Sequence, residues 1–225
     1  MIKHKLSPSS AFTQNKSQGQ PLLSEFTLYL LRHGEIVTPG ILAGKTDVEL
    51  SKQGFQQLSK SVKTLEEPDL FISSPLKRCH LWAQDYAKQK AITLEVEQNL
   101  SEMDFGDWDG KTYQALWQTH SQSPGNTIGD FWQNPWQCQP PNGEKIENFV
   151  ARVDSWWQRF CCENIAPTTL VVTHAGVIKH LIARVLSLPI PGTAHMASID
   201  LPYASLVKII LYREENGRVW PKLIL

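Results

Sequence analysis

Three times along this chain a short, nearly continuous apolar run breaks into a polar turn, and few architectures accommodate that order of events. Phe26-Thr27-Leu28-Tyr29-Leu30-Leu31 ends at Arg32-His33-Gly34-Glu35. Leu70-Phe71-Ile72 follows Pro68-Asp69 and ends at Ser73-Ser74-Pro75, and Thr168-Thr169-Leu170-Val171-Val172-Thr173 ends at His174-Ala175-Gly176. Runs of strand length without polar alternation belong to strands covered on both faces, as in a parallel sheet. Helical stretches follow, near residues 51–65, after Ser74-Pro75 and over Val177–Leu186, with another near 144–162. In the second of these, Ser74 is placed to cap the helix, with Pro75 at its first position and Arg78 in the first turn. Leu206–Leu211 reads as a late strand. Strands separated by helices predict an α/β fold with a layered, mostly parallel sheet.

The sheet pattern begins near Glu25. Residues 1–24, rich in Ser, Gln and Lys, read as a flexible tail, and 25–225 as one domain. Between about Asp104 and Pro141 the periodicity weakens and Trp, Gln, Pro and Gly accumulate, an excursion from the sheet suited to roofing a pocket. Lys plus Arg and Asp plus Glu both number 22, so no net field draws the chain to nucleic acid or to an anionic membrane surface. No apolar run approaches the roughly 20 residues of a spanning helix. Of the four cysteines, Cys161 and Cys162 are adjacent, which disfavours a disulfide framework and favours a cytoplasmic setting. None of the four is followed by five residues and an Arg, so the thiolate phosphatase loop is absent.

The chemistry gathers in the polar turns. In an open α/β sheet, ligands bind beyond the carboxyl ends of the strands, where Arg32, His33, Arg78 and His174 can converge. Two guanidinium forks and helix amino ends ask for an anion, and phosphate is the natural one. A neutral histidine among such donors is a nucleophile toward phosphorus, its second ring nitrogen fixed by an acceptor such as a backbone carbonyl. Arg32, Arg78 and a protonated His174 would then stabilise the charge of the transition state. This scheme requires no metal or other cofactor. The leaving oxygen needs a proton, and the segment Leu100–Gly110 offers Glu102, although spacing alone does not choose it over its neighbours.

Leu30-Leu31-Arg32-His33-Gly34-Glu35, Ser73 through Arg78, Leu100 through Gly110 and Thr173-His174-Ala175-Gly176 resemble, in order, the motifs of the histidine phosphatase superfamily. The similarity spans nearly all of residues 26–212. It implies a three-layer α/β/α sandwich of the phosphoglycerate mutase type. Residue by residue it implies His33 as the nucleophile, Glu102 as the proton donor, and Arg32, Arg78 and His174 as the phosphate pocket. Phe105–Gly110, Pro141-Asn142-Gly143-Glu144 and Phe149–Val153 are most similar to the α-ribazole-5′-phosphate phosphatases of cobalamin nucleotide-loop assembly. That likeness implies a small-molecule phosphate monoester as partner. A phosphoglycerate mutase and a broad sugar-phosphate phosphatase share the motifs, and an inactive member would merely bind a phosphorylated ligand. The chain departs from the family at Pro39, seven residues after Arg32, where an Asn is usual; proline has no side-chain amide to offer a phosphate.

Other residues read more plainly. Asp104, Asp107 and Asp109 lack the length and terminal Glu of a calcium loop and read as a solvated acidic turn. His4, His80, His120, His180 and His195 read as structural or exposed, and Cys79 as a small buried residue despite its neighbour Arg78. Most Trp residues belong to a core, while Trp132 and Trp136 in the excursion are candidates to stack on a flat base such as dimethylbenzimidazole.

Overall fold

The computed structural model describes residues 24–122, 126–163, 165–192 and 194–225. The N-terminal tail expected over residues 1–24 lies outside them apart from Ser24, which opens the first strand. That strand, β1 (Ser24–Arg32), runs parallel to β4 (Thr168–Thr173) on one side and antiparallel to β5 (Leu206–Arg213) on the other. β2 (Leu70–Ser73) lies beyond β4, β3 (Leu94–Val96) beyond β2, and β6 (Val219–Ile224) beyond β5, giving the order β3-β2-β4-β1-β5-β6. The first four of these positions are mutually parallel, β5 runs antiparallel to β1, and β6 runs antiparallel to β5.

Alternation along β1 divides the core in two. Leu28 and Leu30 join one cluster with α5 (Ile146–Cys162) and α6 (Ala175–Val185), while Tyr29 and Leu31 join another with α1 (Lys52–Ser61) and α2 (Lys77–Lys90). α5 buries Phe149, Val153, Trp156 and Phe160, the three- and four-residue spacing of one helix face. The result is the expected three-layer α/β/α sandwich. Among the described residues no helix is long and apolar enough to cross a membrane.

Several boundaries differ from the sequence reading. The stretch expected near 51–65 is α1, capped by Ser51, which accepts from the Gly54 N–H at 3.0 Å, but it ends at Ser61. α2 starts at Lys77, with Leu76 and not Ser74 at its cap position; the Ser74 hydroxyl lies 2.7 Å from His174 Nε2 and also accepts from the Leu76 N–H at 3.4 Å. β3 has three residues, too few to show a period. β6 was obscured by Pro221, which an edge strand tolerates because its missing N–H leaves no ladder bond unmade. The excursion carries α3 (Tyr113–Gln122) and α4 (Ile128–Gln133), the latter opened by a capping box between Thr127 and Asp130. A short helix, α7 (Ala194–Ser198), precedes β5.

Because β2, β4 and β1 are neighbours in register, their polar ends lie side by side. The His33 N–H donates to the Thr173 carbonyl at 2.9 Å, and the Ser74 N–H to that of Val172 at 2.9 Å. The turn after β1 is pressed against the start of α1: a Cβ on Gly34 would stand 2.2 Å from the Gly54 carbonyl oxygen, and one on Gly54 would stand 2.1 Å from that of Glu35. Neither neighbour is a movable side chain. Gly54→Ala therefore sets two effects against each other, a helix-propensity gain of about 1 kcal/mol and a backbone clash of about 1–3 kcal/mol or more. The clash should win, lowering stability in urea unfolding by about 1–2 kcal/mol; a stabilised variant would show that the crossing is looser than these distances.

Candidate active site

A cavity of about 600 Å³ opens at the carboxyl ends of the central strands. Arg32, His33 and Glu102 stand on its wall. Arg78 and His174, each 0% exposed, are packed behind His33, whose ring centroid lies 5.3 Å from that of His174. The five residues singled out from the sequence are thus brought together in two ranks, and in this state the rear pair does not form the wall.

His33 Nδ1 lies 2.8 Å from the Gly34 carbonyl oxygen. A carbonyl only accepts, so Nδ1 carries the hydrogen and Nε2 keeps its lone pair. Burial, with the nearby Arg78 and Arg32 charges adding to it, holds the His33 pKa well below the usual 6.5. The ring is a neutral imidazole with one nitrogen fixed and the other available for attack.

His174 is held differently. Arg78 Nε donates to His174 Nδ1 at 3.2 Å, so the hydrogen sits on Nε2, which lies 2.7 Å from Ser74 Oγ. Burial first, then Arg78, depresses its pKa well below 6.5. The expected imidazolium at His174 is therefore corrected: a second proton on Nδ1 would meet the guanidinium N–H that already occupies that direction. The rest of Arg78 is tied to main chain, Nη1 to the Thr46 carbonyl at 2.8 Å and Nη2 to those of Ala43 at 3.1 Å and Gly44 at 2.6 Å. Cys79 packs beside His174 with its thiol pushed up to about 12 by burial, which removes any thiolate chemistry near neutral pH.

The loop that receives Arg78 is shaped by a residue read from the sequence as a solvated acid. Asp109 accepts from the backbone N–H groups of Gly44 at 3.2 Å, Lys45 at 2.6 Å and Thr46 at 2.9 Å, and from the Thr46 hydroxyl. Asp104 pairs with Lys45 at 3.1 Å, and Asp107 accepts from the Asn142 side chain at 3.0 Å. Asp104 also accepts from the Gly106 N–H at 2.9 Å, and Asp107 is the exposed one of the three. Among the described residues no three His, Cys, Asp or Glu side chains gather as a metal would require.

Glu102 is fixed at the amino end of α6. Its Oε2 accepts from the Gly176 N–H at 3.0 Å and its Oε1 from the Met103 N–H at 3.1 Å. A Cβ on Gly176 would fall 2.4 Å from Oε1, so the glycine makes room for the carboxylate. The segment carrying Glu102 is clamped from behind by Arg152, which donates to the carbonyls of Asn99, Ser101 and Glu102 at 2.7, 2.7 and 3.1 Å and forks onto Glu144 at 2.8 and 3.0 Å. Away from these groups the wall is largely apolar, formed by Leu42, Met103, Phe105, Tyr113, Trp117 and Trp132.

Other sequence expectations fare unevenly. Trp132 lies on the cavity wall, but Trp136 does not; its indole N–H donates to the Gly192 carbonyl at 3.1 Å in a separate packing site. Pro39 sits in an exposed turn before Gly40, whose left-handed φ of 82° turns the chain toward Ile41 and Leu42 on the cavity wall. His180 is structural, its Nε2 at 2.6 Å from Asp154 Oδ1, and His195 is pushed down to about 4, chiefly by burial. His4 and the His120 side chain lie outside the described residues. Tyr203 and Lys179, both on the wall, were missed; Tyr203 stands in an aperiodic stretch with no motif around it.

Comparison with known proteins bears on this arrangement. The model of the histidine phosphatase superfamily, branch 1, matches residues 28–220. The adenosylcobalamin/alpha-ribazole phosphatase of Escherichia coli K12 is 30% identical over 174 residues, covering 75% of this chain and 83% of that protein. The glucosyl-3-phosphoglycerate phosphatase of Mycobacterium tuberculosis is 28% identical over 178 residues, covering 72% and 76%. The solved structure of the alpha-ribazole phosphatase from Shigella flexneri superposes with a TM-score of 0.70 at 24% identity, covering 88% of this chain and 96% of that one, which supports the fold.

The depressed imidazoles of His33 and His174, and with them that of His195, make stability depend on pH with a definite sign. Unfolded, each titrates near 6.5; folded, each remains neutral well below that value. As pH falls through 6.5 the unfolded chain takes up protons that the native chain refuses, so stability present above that pH is lost below it. The loss is at most about 1.4 kcal/mol per pH unit for each group. Urea unfolding at pH 7.5 and 5.5 should show this decline, and His174→Gln should make it shallower. Identical slopes in the variant and the parent would mean that His174 titrates normally in the fold.

Proposed function

The chain belongs to the histidine phosphatase superfamily, and on that premise we propose that it hydrolyses a phosphate monoester through a phosphohistidine on His33. The observation that carries this reading is the state of His33: a neutral ring with Nδ1 bound to the Gly34 carbonyl, standing with Arg32 and Glu102 on one cavity wall. The Nε2 lone pair attacks phosphorus and the bond to the ester oxygen breaks. Arg32 takes the phosphate charge with the Arg78 charge behind it, and a neutral His174 completes the phosphate pocket by holding Arg78. Glu102 gives a proton to the departing oxygen, then accepts one from the water that attacks the phosphohistidine and releases phosphate.

The substrate we assign is α-ribazole 5′-phosphate, cleaved to α-ribazole. Supporting it are the relatives named for that activity and the aromatic side chains of Phe105, Trp117 and Trp132 on the wall of the same cavity. A cavity of about 600 Å³ is of the size that encloses a small organic ligand. A flat heteroaromatic base stacks on such a wall, whereas a bare sugar phosphate leaves it unsatisfied. The second reading, a sugar-phosphate phosphatase, draws on the glucosyl-3-phosphoglycerate phosphatase relative and on the polar pair Lys179 and Asp200 at the cavity. Four free cysteines suit a reducing, cytoplasmic compartment.

The deciding assay is phosphate release from α-ribazole 5′-phosphate, 3-phosphoglycerate, fructose phosphates and ordinary nucleotides, with His33→Ala as control. A kcat/KM for α-ribazole 5′-phosphate at least about tenfold above the rest supports the assignment, since that ratio is about 1.4 kcal/mol of selective binding. Equal rates across the panel leave a general phosphatase, and labelled phosphate trapped on His33→Ala removes His33 as nucleophile. Glu102→Gln should slow α-ribazole 5′-phosphate about 100-fold or more while slowing p-nitrophenyl phosphate far less, because the phenolate leaves without protonation. Equal losses in kcat/KM, which reports the transfer to His33 and not the later hydrolysis, exclude Glu102 as the acid.

A further inference from the structure

Arg32 is the guanidinium on the cavity wall beside the ammonium of Lys179, and its contacts are a ring face and a carbonyl. Its guanidinium carbon lies 4.4 Å from the centroid of the Tyr203 ring, and Nη1 donates to the Leu201 carbonyl. Both partners come from the single segment between α7 and β5. That segment is itself pinned to the end of β1: the Arg32 N–H donates to the Ser205 carbonyl at 2.9 Å, and the Ala204 N–H to that of His33 at 3.1 Å. Ala204 adopts a left-handed φ of 58°, a conformation that an alanine rarely takes up, and the turn lays Tyr203 against the Arg32-His33 pair. The same ring stands 5.6 Å from His33, centroid to centroid.

A carboxylate in this position would neutralise the guanidinium and compete with phosphate for its N–H fork. An aromatic face attracts the cation through its quadrupole and leaves the in-plane donors not used by Leu201 to an incoming anion. Ordering a long, flexible side chain costs conformational entropy, and an arginine already stacked in place has met that cost before phosphate arrives.

We infer that Tyr203 is a positioning residue that holds Arg32 ready for the phosphate group by stacking beneath its guanidinium. This rests on the reading of Arg32 as a phosphate ligand, so its test is binding rather than turnover. Inorganic phosphate and orthovanadate are titrated by calorimetry into the full chain and into Tyr203→Phe, Tyr203→Leu, Arg32→Met and the Arg32→Met/Tyr203→Leu double variant, with thermal unfolding recorded for each. Tyr203→Leu should weaken phosphate about tenfold with a melting temperature close to the parent's, and Tyr203→Phe, which keeps the ring, should lose less than about threefold. In the Arg32→Met background the leucine substitution should have no further effect, because the ring then has no cation to place.

Parental affinity in Tyr203→Leu overturns the inference. So does a Phe variant as weak as the Leu variant, which would assign the effect to the hydroxyl, or losses that multiply in the double variant. If Tyr203→Leu unfolds, Tyr203→His carries the comparison, with a loss expected between those of Phe and Leu; parental binding there overturns the inference equally. A parent chain that binds neither anion overturns the reading of the site itself, and this inference falls with it. Binding without turnover removes only the hydrolytic reading.

Discussion

A guanidinium with no exposed surface lies at the centre of this molecule, and much of the site is arranged around the need to satisfy it. Burying a charge costs several kcal/mol unless its hydrogen bonds are met. Arg78 meets that cost with neutral acceptors: the carbonyls of Ala43, Gly44 and Thr46, and the ring nitrogen of His174. Because none of these cancels its charge, Arg78 remains a source of positive potential in a region of low dielectric. That potential adds to burial in keeping His33 and His174 neutral.

Satisfying Arg78 transmits order outward. Its carbonyl partners belong to a loop whose N–H groups are collected by Asp109, so an acid in the excursion fixes the shape of a loop more than sixty residues earlier. Its fourth partner dictates the tautomer of His174, and that tautomer in turn recruits Ser74. Arg152 plays a comparable part for Glu102, with one fork gathering three carbonyls and one carboxylate. Arg32 is held in a third way, by an aromatic face and a carbonyl. Three arginines, each restrained without loss of charge at the two nearest the nucleophile, account for much of the geometry.

The strands that build the sheet interior were legible because each is an apolar run of full strand length bounded by polar turns, and β4 matches its expected limits. β3 and β6 were not, since three residues show no period and an edge strand bearing Pro221 does not look like a strand. The helices of the excursion were illegible for a related reason: α4 has six residues, too short for a 3.6-residue repeat to assert itself. Ser74 misled because a Ser-Pro pair is a sound capping signal, yet the helix begins three residues later and the hydroxyl is shared between the Leu76 N–H and a histidine 100 residues on.

What the sequence determined by itself was local chemistry and order: apolar runs to make a buried sheet, Arg32, His33 and His174 set in turns where strands end, and Arg78 in the helix after such a turn, while Glu102 was singled out only by the family resemblance. The others follow from residue types and spacing, which act over a few neighbours. What only the tertiary structure decided was how those residues are disposed toward one another. The neutral state of His174, the retreat of Arg78 behind the wall, the conversion of Asp109 from surface acid to organiser and the seat of Arg32 on Tyr203 all arise from contacts between residues far apart in the chain. Burial and hydrogen-bond direction set those properties, and neither exists until the sheet has brought its strand ends together.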